Sequence, residues 1–242
     1  MIPALRSLWI WTASAAIILA RLPGMAAVRL FDRDPLQRAV ARYFRRAGPV
    51  LARVLPWRVH IHGQENIEAG RTYVVVSNHQ SFADIPVIAH LAFDTKWLAK
   101  AELFRVPLIG RMMSMAGDIP VERGDRRKAA AALLQAARYL RQGCSVVFFP
   151  EGTRSKDGSI LPFNDGPFQL ALREQTPILP LVVDGSGSAL PRNSWIFGPA
   201  QDIHLSVLTP IAPGAKNGDA GELRESVRGR MIDALNETRR SR

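Results

Sequence analysis

The sequence contains a single cysteine, Cys144, among its 242 residues. One cysteine excludes a disulfide framework and a zinc site built from several cysteines, so a reducing compartment is the simplest expectation for the main body of the chain. Cys144 precedes an apolar run and is expected to be a small buried side chain. With 47% hydrophobic and 22% charged residues, the chain is too apolar for disorder and long enough for one sizeable core.

Lysine and acidic residues are also scarce. The basic side chains are 27 arginines and only five lysines, and they outnumber the 21 acidic residues to give a formal net charge of +11. Residues 1–63 hold ten of these arginines, with Asp32 and Asp34 as the only acids. This excess of arginine predicts a partner rich in phosphate or carboxylate, and its position marks the N-terminus as a distinct region.

No uncharged apolar run reaches the roughly 20 residues that one transmembrane helix needs. The N-terminal run SLWIWTASAAIILA, residues 7–20, has fourteen residues and predicts an anchoring or membrane-dipping helix. If Arg21 and Arg29 extend toward the headgroups, the apolar stretch continues to Leu30, and a transmembrane helix stays open. A cleaved signal peptide is the weaker interpretation, because the chain that follows is dense in arginine.

From Pro35 the sequence predicts a basic amphipathic helix. Its apolar face carries Leu36, Val40, Tyr43, Phe44, Ala47 and Leu51. Its basic face carries Arg38, Arg42, Arg45, Arg46 and Arg53. The helix either packs on the rest of the protein or lies on a membrane, and the preceding Trp9 and Trp11 favour the membrane. Residues 1–56 are therefore predicted to associate with an anionic membrane surface, at the cytoplasmic face of the cell inner membrane.

After Pro56, short apolar runs alternate with helical stretches. The predicted strands are WRVHIH, YVVVS, KWLA, DIPV, SVVFF, ILPLVV and a late HLSVLTP, and the predicted helices cover residues 84–93, 101–115, 125–142, 165–175 and 219–239. Apolar strands separated by helices predict an α/β fold with a largely parallel sheet flanked by helices. We expect this domain to cover residues 57–242.

The segment NHQSFAD, residues 78–84, follows the strand YVVVS. Its His79 and Asp84 are five residues apart across a predicted strand-to-helix turn, a spacing that lets the carboxylate reach the imidazole. Such a pair lets a histidine accept a proton from a hydroxyl while the aspartate fixes its tautomer. The alternative is that both side chains only cap the turn. Because no G-x-S-x-G motif occurs, a proton taken by His79 is expected to come from the substrate.

Two further segments end predicted strands at the same edge of the sheet. GDIPVER ends at Arg123, and SVVFFPEGTRS runs through Gly152 to Arg154. Backbone amides around a glycine, with a guanidinium two residues later, are typical of an anion site, although an ordinary turn with a surface arginine gives the same pattern. Lys100, after KWLA, adds a third cation, unless it is only a solvated lysine at a helix start.

The blocks NHQSFAD, GDIPVER, FPEGTRS and ILPLVV together resemble those of the glycerophospholipid acyltransferases, in the family's order, over residues 57–185. The chain is most similar to bacterial members that acylate 1-acyl-sn-glycerol-3-phosphate. The resemblance implies transfer of a fatty acyl group from acyl-CoA or acyl carrier protein to the sn-2 hydroxyl, giving phosphatidic acid. It implies that His79 is the general base and Asp84 its partner, with no metal, no tightly bound cofactor and no nucleic-acid partner.

The resemblance also implies the residues that bind substrate. They are Lys100, Arg123, Glu151, Gly152, Thr153 and Arg154 for the phosphate, and Pro180 on the acyl-donor side. The chain departs from the family where a Phe-Lys-x-Gly pattern is usual, because PFNDGPF carries Asn164 and Asp165 and lacks the expected cation. Other lysolipid acceptors, such as a lyso-ornithine lipid, therefore stay open.

Two other classes of protein stay open as well. A non-catalytic basic protein that binds membranes or nucleic acid would explain the arginine excess but would not consume a thioester. A lipid or thioester hydrolase would release free fatty acid without needing an acceptor.

Overall fold

The computed structural model describes residues 3–122 and 124–241, and its central element is a seven-stranded sheet. The strands are β1 Trp57–His62, β2 Val74–Ser77, β3 Thr95–Lys100, β4 Ile119–Val121, β5 Ser145–Phe148, β6 Ile178–Asp184 and β7 Gln201–Val207. Their spatial order is β1-β7-β6-β2-β5-β3-β4, and every pairing is parallel except β6 with β7. The predicted α/β class with a largely parallel sheet is confirmed.

Helices connect these strands and cover both faces of the sheet. They are α1 Pro3–Phe31, α2 Arg38–Arg45, α3 Ala47–Leu51, α4 Asp84–Ile88, α5 Ile109–Met115, α6 Arg126–Arg141, α7 Gly166–Glu174, α8 Ser186–Ala189 and α9 Ala220–Arg240. Short 3₁₀ turns lie at Gln64–Asn66 and Ala101–Arg105. Along β2, Val75 packs in one apolar cluster while Val74 and Val76 pack in the other. Both sides of the sheet are covered at its centre, which is why β2, β5 and β6 are buried along their whole length. β1 and β7, at the edge and beside it, alternate between buried and more exposed residues.

Three predicted elements have different bounds in the structure. The late strand begins three residues earlier than HLSVLTP, because Gln201 already pairs with β1. The helix predicted over 84–93 ends at Ile88. The helix predicted over 101–115 is interrupted between Arg105 and Ile109, where Pro107 is followed by Leu108 with a positive φ of 65°. Proline and a left-handed residue each prevent the helix from continuing.

The N-terminal helices share a small core with the rest of the chain. Met25 of α1 and Val40 of α2 cluster with Met112 and Ala116 at α5. Nearer the start of α1, Ile10 joins the main core beside the sheet. A division of the chain between residues 56 and 57 stays a prediction, although β1 does begin at Trp57.

The predicted basic helix is two helices, α2 and α3, and three of the five arginines on its basic face pair with aspartates. Arg42 Nη1 lies 2.8 Å from a carboxylate oxygen of Asp94, and Arg38 Nε lies 4.0 Å from the other. Arg45 pairs with the buried carboxylate of Asp118. All three arginines therefore have carboxylate partners within the protein, although the nearer partner of Arg38 is Asp34, at 3.0 Å, inside the N-terminal region. The prediction that these three charges face a membrane is corrected at these positions, because the sequence does not show where the acids lie.

A buried lysine strengthens the same junction. Lys96 on β3 has no exposed surface, and its Nζ donates to the carbonyl oxygens of Ala116, at 2.6 Å, and Gln37, at 3.3 Å. Burial lowers the pKa of this amine. The contacts connect the end of α5 to the start of α2. Cys144 is buried beside β5, as predicted, and burial raises the pKa of its thiol to about 11.

Candidate active site

The predicted site residues gather at the carboxyl edge of the parallel strands. Asn78, the first residue after β2, extends the pairing between β2 and β6 with its side chain. Its Nδ2 donates to the carbonyl oxygen of Val183 at 2.8 Å, and its Oδ1 accepts from the Val183 amide at 2.8 Å. Because this amide is fixed on both sides, the next residue, His79, has a defined position at the edge of the sheet. Sequence analysis did not single out Asn78, although it is the first residue of NHQSFAD.

His79 and Asp84 form the predicted pair. His79 Nδ1 lies 2.7 Å from Asp84 Oδ2, and Asp84 is fully buried at the first turn of α4. The same oxygen accepts from the backbone amides of Gln80, at 2.8 Å, and Ser81, at 3.0 Å. One carboxylate therefore both caps the turn and orients the imidazole, so the two interpretations of this spacing describe the same structure. The imidazole ring stacks on Phe149, with ring centroids 4.2 Å apart.

Glu151 connects the His79 loop to the loop that follows β5. One of its oxygens accepts from the His79 amide at 2.9 Å, and the other accepts from the Leu161 amide at 3.3 Å. Burial raises the pKa of Glu151 to about 7, and the two amide hydrogen bonds only partly oppose that effect. The carboxyl group thus faces the protein backbone. Its geometry suits positioning of the two loops better than the predicted contact with a phosphate.

The loop after β5 has the backbone conformation that a glycine allows. Gly152 has a φ of 67°, and a Cβ atom there would lie 3.1 Å from Asn164 Nδ2. That Nδ2 donates to the carbonyl oxygen of Pro150 at 2.7 Å. Asn164, which stands where the related family usually has a cation, therefore holds the loop. Thr153 follows Gly152 and is half-buried.

Arg154 lies at the rim of this loop. Its guanidinium is 4.5 Å from the centre of the Phe82 ring, and Nη2 is 3.5 Å from Asn193 Oδ1. Burial and the nearby Arg192 lower the pKa of Arg154. Among the residues that the structure describes, no carboxylate oxygen lies within 4 Å of its charged nitrogens.

Two of the remaining predicted residues, Lys100 and Pro180, lie apart from Arg154. Lys100, at the end of β3, is exposed and pairs with Glu102 at 3.1 Å. Pro180 is buried inside β6 next to Val76, away from the edge of the sheet. Arg123 lies outside the described residues.

No set of three or more His, Cys, Asp or Glu side chains that could hold a metal ion is found within residues 3–122 and 124–241.

Comparisons with known proteins identify one family. The profile of the family named Acyltransferase matches residues 58–184, just over half of the chain. A chloroplastic 1-acyl-sn-glycerol-3-phosphate acyltransferase of Brassica napus is 32% identical over 225 residues, which cover 93% of this chain and 64% of the relative. A chloroplastic Arabidopsis thaliana protein of the same name is 35% identical over 179 residues, which cover 74% of this chain and 50% of that protein.

The fold is also shared with a solved structure. The crystal structure of the 1-acyl-sn-glycerophosphate acyltransferase PlsC from Thermotoga maritima superposes with a TM-score of 0.83 at 27% sequence identity, covering 98% of this chain and 95% of that one. The chain spans between half and about two thirds of the length of the two plant relatives. The family profile, which covers the His79 loop and the Arg154 loop together, shows that the chain belongs to the acyltransferase family.

Proposed function

We propose that the protein transfers a fatty acyl group from an acyl thioester to the sn-2 hydroxyl of 1-acyl-sn-glycerol-3-phosphate, giving phosphatidic acid. The observation that carries this proposal is the 2.7 Å contact between Nδ1 of His79 and the buried carboxylate of Asp84. The names of the relatives support the choice of substrate. Family membership supports the type of reaction.

The pair can perform the proton transfer that the reaction needs. Because Asp84 Oδ2 accepts from Nδ1, the proton of a neutral imidazole resides there and Nε2 keeps its lone pair. Nε2 of His79 takes the proton of the sn-2 hydroxyl as the alkoxide attacks the thioester carbonyl. A carbon–oxygen bond forms, the carbon–sulfur bond breaks, and the departing thiolate takes the proton from the imidazolium. Asp84 stabilises the cation during this step.

The acceptor phosphate is assigned to the loop after β5. Arg154 offers a guanidinium without a carboxylate partner among the described residues, and Thr153 offers a backbone amide next to it. The amide of Gly152 donates to the Phe149 carbonyl at 3.0 Å, so Gly152 contributes the turn that brings Thr153 and Arg154 to the phosphate. Lys100 and Arg123 stay in the proposed phosphate set. Glu151 acts in this proposal by holding the His79 loop against this one.

Attachment to a membrane is the second part of the proposal. Within the described residues, α1 is the one helix long and apolar enough to cross a membrane, and most of it is exposed. Arg6 donates to the Phe197 carbonyl at 2.8 Å, Arg21 donates to the Tyr43 carbonyl of α2 at 2.7 Å, and Met25 packs with Met112 of α5. A helix held along this length favours an orientation in the plane of the interface.

The exposed surface of the N-terminal region has the chemistry of such an interface. Exposed apolar side chains on α1 are Leu5, Leu8, Trp9, Trp11, Leu19, Leu30 and Phe31. Arg46, just after α2, and Arg53, just after α3, are exposed, whereas the arginines of α2 pair with aspartates. Apolar and aromatic groups together with arginine suit an anionic leaflet, and we place this surface on the cytoplasmic face of the cell inner membrane, where acyl thioesters are available.

One assay tests the activity. Purified protein in detergent is given acyl-CoA or acyl carrier protein, and thiol release is measured with and without 1-acyl-sn-glycerol-3-phosphate. We expect acceptor-dependent thiol release, with phosphatidic acid as the product, and its loss in folded His79→Ala. Thiol release without the acceptor would indicate a hydrolase, a preference for a lyso-ornithine lipid would indicate another acceptor, and no release from any donor would indicate a binding protein.

Flotation tests the membrane surface. The full-length protein should float with vesicles that contain anionic phospholipid, and a truncated protein that starts at Pro56 should float markedly less, because α1 carries most of the exposed apolar side chains. Equal flotation of the two proteins would refute the assignment.

A further inference from the structure

A cavity of about 820 Å³ opens beside the loop that carries His79. Its lining includes Gln80, the residue after His79, and Ser155, whose amide donates to the His79 carbonyl at 2.7 Å. The other walls come from the segment after β6 and from the end of α9. A volume in the range of roughly 300–1,000 Å³ is typical of ligand sites. The cavity, which we name the β6-side cavity, therefore has the size of a ligand site and shares the catalytic loop.

Uncompensated positive charge lies at this cavity. Lys156 and Arg192 line it, and Arg192 Nη1 donates to the Arg154 carbonyl at 2.9 Å, which brings two guanidinium-bearing residues together. In the part of the chain that the structure describes, no carboxylate oxygen lies within 4 Å of the charged nitrogens of Lys156, Arg192 or Arg154. Like charges gathered without a carboxylate paired to them favour the binding of an anion.

The two acids of the lining are already engaged. Asp184 Oδ1 lies 3.0 Å from Arg239 Nη2. Asp157 accepts from the Ser159 hydroxyl, at 2.6 Å, from the Ser159 amide, at 2.9 Å, and from the Ser155 hydroxyl, at 3.0 Å, and these hydrogen bonds lower its pKa to about 2. Because both carboxylates are satisfied by neighbours, they leave Lys156 and Arg192 available to a ligand.

The sheet topology separates this cavity from Lys100. β6 neighbours β2 on one side, whereas β3 lies on the other side, beyond β5. His79 follows β2, so it lies between the segment after β6 and Lys100 at the end of β3. The proposed reaction brings two phosphate-bearing molecules to one histidine. The acceptor carries a glycerol phosphate, and both acyl-CoA and acyl carrier protein carry the thioester on a 4′-phosphopantetheine arm.

We infer that the β6-side cavity binds the phosphate of the 4′-phosphopantetheine arm of the acyl donor, with Arg192 and Lys156 as its cationic contacts. This inference rests on the proposed function, because it assigns a place to the donor of that reaction. The arm runs from the cavity past Gln80 to the thioester at His79, while the acceptor phosphate stays with Arg154. The segment after β6 thereby supplies a donor contact in Arg192.

Two small donors isolate the phosphate. Acyl-4′-phosphopantetheine and acyl-pantetheine carry the same thioester and differ by one phosphate group. We expect Arg192→Gln and Lys156→Gln each to raise the KM for the phosphorylated donor about tenfold, the loss expected for one charge-assisted hydrogen bond. The KM for acyl-pantetheine should be unchanged in both variants. Because Arg192→Gln also removes the hydrogen bond to the Arg154 carbonyl, the KM for the lysolipid acceptor is compared in Lys156→Gln, where it should be unchanged. Arg230→Gln, at an exposed arginine of α9 outside the cavity, is the matched control.

The large donors distinguish the source of the phosphate. An increase in KM for both acyl-CoA and acyl carrier protein supports recognition of the shared arm, whereas an increase for acyl-CoA alone would overturn it in favour of the nucleotide. Equal effects on the two small donors, or an effect on the acceptor alone, would also overturn the inference. If the wild-type protein has the same KM for acyl-4′-phosphopantetheine and acyl-pantetheine, this inference is refuted and the proposed function is not. If no donor supports acyl transfer, the proposed function is refuted.

Discussion

Replacement of Asp84 by asparagine separates the charge of the carboxylate from its geometry. Asp84 Oδ2 accepts three hydrogen bonds, from His79 Nδ1 and from the amides of Gln80 and Ser81. An amide oxygen in the same place can accept all three, so His79 keeps both its orientation and its Nδ1 proton. Asp84→Asn therefore removes the negative charge that stabilises the imidazolium and leaves the imidazole where it is.

The expected loss of rate follows from the distance between the charges. With the imidazolium and carboxylate charges about 4 Å apart and an effective dielectric constant of about 20, their attraction is about 4 kcal/mol. If that attraction acts only after proton transfer, kcat falls by about 10³-fold, at about 1.4 kcal/mol for each factor of ten. The KM values should change little, because His79 is neutral in the ground state of this mechanism.

The assay is steady-state acyl transfer on purified variants whose folding is checked by circular dichroism and thermal melting. The asparagine Nδ2 would replace Asp84 Oδ1, a buried atom that makes no hydrogen bond among the described residues. An unpaired buried donor costs about 1–3 kcal/mol of stability, so a modest fall in Tm is expected. Asp233→Asn, at an exposed position of α9, controls for the loss of one acidic charge. A folded Asp84→Asn that retains more than about a tenth of the wild-type kcat would refute the electrostatic role.

Three further variants test other parts of the structure. Arg154→Lys should weaken recognition of the acceptor phosphate and raise the acceptor's KM about tenfold while kcat changes less, because an ammonium cannot reproduce two parallel hydrogen bonds to phosphate; an equal effect on a phosphate-free acceptor would contradict this. Burial raises the pKa of Glu151 from 4.5 to about 7, so the folded protein binds more protons than the unfolded chain in that range, and this residue's contribution to stability is complete below about pH 4.5 and declines as the pH rises through 7. In urea unfolding between pH 4.5 and 7, the free energy of unfolding of the wild type should therefore fall by up to about 3 kcal/mol more than that of Glu151→Gln. Parallel plots of this free energy against pH for the two proteins would show that the pKa of Glu151 is not raised. Arg45→Met leaves Asp118 buried without its ion pair, and the free energy of unfolding should fall by about 3 kcal/mol, whereas a fall below about 1 kcal/mol would show that the pair adds little.

Much of the sheet and part of the site could be predicted from the sequence because their signals are local. All seven predicted strands are present near their expected positions. The signal is strongest for the central strands β2, β5 and β6, because a strand covered by helices on both faces must be apolar. His79 and Asp84 meet because five residues of one turn separate them. The positive φ of Leu108, which interrupts the helix predicted over 101–115, has no such signal beyond the preceding Pro107.

The sequence by itself determined the α/β class, the blocks at the carboxyl edge of the sheet and the apolar character of α1. Only the tertiary structure decided which residues distant in the chain form ion pairs and hydrogen bonds with one another. Arg45 meets Asp118, and Arg192 reaches the Arg154 carbonyl, across chain separations over which no pattern specifies a partner. Periodicity and spacing in the sequence predict which side chains lie on one face or in one turn of a segment. The pairing of those groups depends on the packing of α2 and of the segment after β6 against the sheet, and that packing is a property of the whole chain.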